Sequence, residues 1–157
     1  MGLDMYLEGR LYQQRSPSYW EKPETDEHRH GKRVKEITVE LGYWRKHPDL
    51  HGWIVKNTAD GTDDCEDISL DRDDLLKLKA AIENDALAHG TKGFFFGNSY
   101  QPGEKDEQGR DVYAEQKKED LEIVQGALDW LDHMEMKDLL HPNGGKWWAL
   151  VNYRASW

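Results

Sequence analysis

The stretch Gly42–Trp53, GYWRKHPDLHGW, holds the junction on which the reading of the fold turns. Upstream of it, Val34, Ile37, Val39 and Leu41 mostly alternate with polar residues, the period-two pattern of a half-buried strand. One slip near Lys35 and Glu36 reads as a β-bulge. Downstream, Pro48 and Asp49 suit the first turn of a helix, and Leu50, Trp53, Ile54 and Asn57 fall on one helical face. The spacing therefore predicts a strand over 33–45, a bend allowed by Gly42, and a helix from Pro48 onward.

Working outward, Leu3, Met5 and Leu7 alternate with Asp4, Tyr6 and Glu8, which predicts a first strand over 3–12. Residues 13–32 are polar and carry Pro17, Pro23 and Gly31, the composition of a loop insertion. After the 48-onward helix, ADGTDDCEDISL returns the chain through a turn and a short strand, with Cys65 expected on a half-buried strand. Asp71 reads as an N-cap, with Asp73 and Asp74 in the first turn where negative charge complements the helix dipole. Leu75, Leu78, Ile82 and Ala86 mark the buried stripe of that helix, and Gly90 ends it. GFFFG at 93–97 reads as a short buried strand, and 98–112 as a flexible turn. A third helix is expected from Ala114 to Leu140 on the spacing of Leu121, Val124, Leu128 and Leu131, with Trp130 and Met134 widening its face. KWWALVNYRAS closes the chain as a strand. With no regular βαβ alternation, the expectation is a single α+β domain spanning 1–157, a mainly antiparallel sheet with two or three helices packed on it.

Composition narrows the function classes. Only 37% of the residues are hydrophobic, so seven tryptophans and seven tyrosines must supply much of the core. The formal net charge of -10 makes non-specific nucleic-acid binding unfavourable. A lone Cys65 allows neither an internal disulfide nor a cysteine-based zinc site, and its acidic surroundings argue against a nucleophile. The N-terminal MGLDMYLEGRLY lacks the charge pattern and apolar run of a signal peptide, and no apolar run approaches a membrane span. A cytoplasmic location, without membrane association, is the expectation.

GYWRKHPDLHGW admits two readings. In one, Trp44 and Trp53 are core while Arg45 and Lys46 are solvated or salt-bridged. In the other, Tyr43, Trp44, Arg45, Lys46, His51 and Trp53 form an aromatic-walled cationic pocket for an anion, aided by a helix N-terminus, with Phe95 and Tyr100 nearby. Phe95 joins that site only if one face of the GFFFG strand is open; Asn98, Ser99 and Tyr100 would then line its rim. DEHRH at 26–30 lacks the helical histidine pair of a metalloprotease and reads as loop, and DGTDDCEDISL lacks calcium-loop spacing, so no metal site is assigned. No Walker A, GxGxxG or GxSxG signature occurs, and no cofactor is implied. His47, His51 and His89 remain as general-base candidates, so catalysis is left open.

Three landmarks, MGLDMYL at 1–7, GYWRK with the following His51, Trp53 and Val55, and GFFFGNSY at 93–100, resemble those of a family of small bacteriophage and prophage proteins. The resemblance covers roughly 1–12 and 40–135; the 13–32 loop, the PGEKDEQGRD stretch and the tail from Gly144 depart from it. It implies a phage accessory protein in an infected or lysogenic bacterium, and it carries no activity. The expectation is an accessory protein binding a host protein or a small anionic, nucleotide-like ligand, with countering of host defence as one role. The alternatives are an enzyme on a nucleotide or phosphorylated substrate with His51 as acid or base, and an acidic DNA-mimic decoy. Homo-oligomerisation is left open.

Overall fold

The computed structural model describes residues 2–13, 28–29, 32–33, 36–87, 92–136 and 147–157. Strand β1 (Asp4–Gln13) runs between β4 (Glu36–Arg45) and β6 (Trp147–Ser156), antiparallel to both. The short β5 (Ile68–Leu70) pairs with the other edge of β6, so the sheet order is β4-β1-β6-β5. Between β1 and β4, β2 (His28–Arg29) and β3 (Lys32–Arg33) pair with each other as a separate ribbon. Three helices follow: α1 (Pro48–Thr58), α2 (Arg72–Glu83) and α3 (Val112–Met136). The α+β architecture with an antiparallel sheet is the one the alternation predicts. Residues 14–27, His30, Gly31, the 137–140 end of the expected third helix, His89 and the helix-ending Gly90 lie outside the described residues.

Alternation decides which face of the sheet is buried. Leu3, Met5 and Leu7 of the first strand region, Trp44, Val151, Tyr153 and Ala155 point to one side, where they join Leu50, Ile54, Leu75, Leu78, Ile82, Val124, Leu128 and Leu131 of the helices in one core. Each fully buried aliphatic side chain there contributes about 1.5–3 kcal/mol. The helix α2 starts as the sequence predicts: Asp71 accepts the Asp74 N–H (2.8 Å), and the Asp74 carboxylate accepts the Asp71 N–H in return (3.2 Å). It ends at Glu83, so Ala86 lies beyond it and is exposed.

Three local expectations are corrected. Lys35, at the expected bulge, lies outside the described residues; within them the β4 register is irregular opposite Leu7 and Glu8, which pair with Gly42 and Glu40, so Leu41 is the extra residue. Gly42 makes no bend; it stays in the strand and gives room to Ile123 of α3, whose side chain a Cβ would overlap. The turn out of β4 comes at Lys46, which adopts a left-handed φ of 56°. Cys65 sits exposed at a bend with φ 62°, not on a strand.

The third is GFFFG, which is a turn. The Phe96 N–H donates to the Gly93 carbonyl (3.1 Å), and Gly97 takes φ +74°. Glycine at both ends lets the chain reverse where a strand would have run on. The following 98–112 segment is closed by its own hydrogen bonds, including Glu104 N–H to Gln101 O (2.9 Å) and the isolated Lys105–Asp111 bridge. Within it the Asp106 carboxyl is held below its ordinary range, first by the Arg110 backbone N–H.

Candidate functional site

Strand periodicity divides the GYWRK motif between the two faces of the sheet. Tyr43 and Arg45 face away from the helices, opposite Tyr6 and Asp4 on β1. There the Tyr43 hydroxyl donates to Asp4, Arg45 lies 3.6 Å from the same carboxylate, and Arg154 sits over the Tyr6 ring. That hydrogen bond is the first cause that raises the Tyr43 pKa above its ordinary value. Trp44, between them in sequence, is buried on the other side. Trp53 is half-buried against the core. The structure therefore does not bring Tyr43 and Arg45 into one pocket with Trp44 and His51. Arg45 and its carboxylate partner Asp4 lie on the sheet face opposite Trp44.

A different cluster forms around His47. The imidazole is 3% exposed, with Nδ1 2.8 Å from Ser99 Oγ and Nε2 3.0 Å from Asp120 Oδ2. The other Asp120 oxygen accepts the Trp44 indole N–H (2.9 Å). Ser99 Oγ also accepts the Asp49 backbone N–H (3.0 Å). It caps the N-terminus of α1 from a distant loop, because His47, the residue in the cap position, makes no side-chain cap itself. This chain of bonds ties β4, α1, the 98–101 loop and α3 together. Its members order as serine, histidine and aspartate; Ser99 is buried, and its oxygen already accepts the Asp49 N–H.

His51 repeats the pattern on the first turn of α1. It is buried, with Nδ1 2.7 Å from the Tyr153 hydroxyl and Nε2 2.9 Å from Asp63 Oδ2. A carboxylate can only accept, so Nε2 carries the hydrogen in that bond. Phe96 and Trp157 pack around the ring, Phe96 edge-on at 5.3 Å. Burial, with a lesser contribution from Asp63, raises the Tyr153 phenol far above its ordinary range. Both ring nitrogens of His51 are thus hydrogen-bonded within the protein.

A narrow cleft of about 320 Å³, counted with its open mouth, borders His47. Asp49, Asp120, Tyr100, Tyr113, Gln116 and Lys117 are among its lining residues, and Ser99 is not. Lys117 is held by Asp85 (2.7 Å) and the Glu83 carbonyl (2.9 Å). Burial first, then the bond to Asp85, raises the Tyr113 phenol above its ordinary range. Among the described residues no group of three or more histidine, cysteine or acidic residues is placed to hold a metal ion. No described helix is long and apolar enough to cross a membrane.

The turn at 93–97 presents what the pocket reading missed. Phe94 is 95% exposed, while Phe96, two positions on, is buried. Phe95 is half-buried, its ring edge-on to Phe94 at 4.7 Å. The base of the turn is fixed at several points. The Leu3 N–H donates to the Phe95 carbonyl (3.2 Å), and the Lys46 N–H donates to the Leu3 carbonyl (2.8 Å). Gly97 lies against the Lys46 side chain, where an added Cβ would fall 2.9 Å from it. Ser99 is gripped by His47. Of the expected site residues, Lys46 and Phe95 thus lie at this corner, His51 supports it from beneath through Phe96, and Tyr100 lines the cleft beside His47.

Phe94, His47 and Asp120 are functional candidates that the sequence reading did not place in the site. For His47 a signal existed, since it was one of three candidate bases. Its partners, Ser99 and Asp120, lie 52 and 73 residues downstream, beyond any local pattern. No protein-family model matches the chain, and neither the curated proteins nor the solved structures contain a match to it.

Proposed function

We propose that the protein is a non-enzymatic accessory protein of a bacteriophage or prophage, and that it binds a protein of its bacterial host through the Phe94 turn. The observation that carries the reading is a nearly fully exposed phenylalanine on a turn anchored from Phe95 to Ser99. Leaving such a ring in water forfeits the free energy of burying it, about 1.5–3 kcal/mol. Aromatic residues held rigidly at the surface are the commonest anchors of protein interfaces, because little side-chain freedom is lost when they enter a partner's pocket. The three stretches that carry the phage resemblance supply the anchoring: Leu3 from the first, Lys46 and His47 from the second, Phe95 to Ser99 from the third.

The rival readings have weaker support. An enzyme using His51 or His47 needs the ring to reach a substrate, and the two rings are almost wholly buried. A DNA-mimic needs carboxylates spread over one face. Here cations interleave with them: Arg10 among Glu8, Glu36 and Asp67 on the sheet, and Lys79, Lys117 and Lys118 with Glu83, Asp85 and Glu122 on the helices. A small anionic ligand would have to displace Asp4 from Arg45.

The test is capture from bacterial lysate with immobilised wild type, Phe94→Ser and Leu76→Ser, the last removing an apolar side chain that is 48% exposed on α2. A captured protein that Phe94→Ser loses and Leu76→Ser keeps is the expected result. Equal capture by all three proteins sinks the assignment.

A further inference from the structure

The surroundings of Phe94 say what kind of pocket it enters. Lys92 precedes the turn and Lys46 lies along its base, the Lys46 stem packing between Gly2 and Gly97. Both lysines are exposed, and neither pairs with a carboxylate among the described residues. By contrast Lys77, Lys79, Lys117 and Lys118 all sit in ion pairs. Among the described residues Lys56 and Lys105 also have no carboxylate partner, so a free ammonium alone means little. What distinguishes Lys46 and Lys92 is that they flank the exposed Phe94, Lys92 two residues before it and the Lys46 stem packed on Gly97 after it. In a chain with 31 acidic and 21 basic residues, this is a local reversal of sign around an apolar tip.

From this, and resting on the reading that the Phe94 turn is a protein-binding site, we infer that the partner presents an apolar pocket rimmed by carboxylates. The ring enters the pocket, and Lys46 and Lys92 meet the rim. Rim pairs of this kind set partner choice and association rate more than they set affinity. The same two features, a phenylalanine tip and lysines, also suit the surface of an anionic membrane. The overall charge of -10 opposes approach to such a surface and favours a discrete acidic pocket, which sees the turn and little else of the protein.

The test uses immobilised synthetic peptides that share one apolar core of leucine and tryptophan and differ only in flanking residues: aspartate and glutamate, serine, or lysine. Vesicles containing anionic phosphatidylglycerol form the second arm. Wild type is expected to be retained on the acidic peptides above the neutral ones and to be excluded from the basic ones. Phe94→Ser should abolish retention. Lys46→Glu with Lys92→Glu should reverse the preference, with roughly a tenfold loss on acidic peptides from two exposed pairs. Retention that needs Phe94 but ignores flanking charge overturns the acidic rim and leaves the Phe94 reading standing. Retention that ignores Phe94, or no retention on any peptide, overturns both. Vesicle binding that depends on Phe94 assigns the turn to membranes and overturns the inference.

Discussion

Asp120 offers the sharpest test of the clamp beneath the Phe94 turn. It is 2% exposed, and its two oxygens accept separate donors, the Trp44 indole and His47 Nε2. Asp120→Ala leaves both donors buried without acceptors, and each such group costs about 1–3 kcal/mol. The sum, roughly 2–6 kcal/mol, is a large part of the 5–15 kcal/mol typical of a whole domain. Asp120→Asn should behave differently. Its carbonyl still accepts from Trp44, while its amide can donate to Nε2 once the His47 hydrogen moves to Nδ1, where Ser99 Oγ accepts it. That variant should lose only about 1–2 kcal/mol. Urea denaturation of the three proteins gives the comparison, with the slope of the transition unchanged and the midpoints in the order wild type, Asn, Ala. In a thermal scan the alanine variant should melt on the order of 10 °C lower. An alanine variant within about 0.5 kcal/mol of wild type would refute the clamp, because that is the range of ordinary surface changes.

Other outcomes follow from the packing and the buried phenols. Gly42→Ala should destabilise by about 1–3 kcal/mol through overlap with Ile123, and Ile123→Ala in the same chain should recover part of the loss by clearing the space; a double-mutant cycle in urea measures it. The buried Tyr153 phenol titrates well above its ordinary value of 10, so the unfolded chain gives up its proton first as pH rises. Stability should therefore be intact below about pH 10 and fall above it, and Tyr153→Phe should flatten that alkaline decline while losing about 1 kcal/mol at neutral pH with the His51 bond. Phe94→Ser should leave the stability measured in urea unchanged to within about 0.5 kcal/mol, since the ring is 95% exposed and gives up an exposed edge-on contact with Phe95.

Much of the fold was legible because its signals are local. The alternation of Leu3, Met5 and Leu7, the capping pair Asp71 and Asp74, and the stripe Leu75, Leu78, Ile82 each stand within a few residues of one another. GFFFG misled because three consecutive apolar residues look the same in a buried strand and in an exposed turn. What separates them is the left-handed φ of Gly97 and the Gly93–Phe96 bond, neither of which composition reveals. The candidate site was less legible still. GYWRK looks like one cluster on paper, but strand periodicity sends Trp44 inward and Tyr43 and Arg45 outward. His47 acquires its meaning only from Ser99 and Asp120, which folding alone brings within 3.0 Å.

The most direct measurement of the central claim is site-specific photocross-linking in infected or lysogenic bacterial cells. The photoreactive change Phe94→p-benzoylphenylalanine places the probe at the tip of the turn, and Leu76→p-benzoylphenylalanine places it at an exposed site on α2. The account predicts a discrete cross-linked protein from position 94 and none from position 76, with the cross-link lost when Asp120→Ala loosens the clamp. Illumination that yields no adduct at position 94, or the same adducts from both positions, would contradict it.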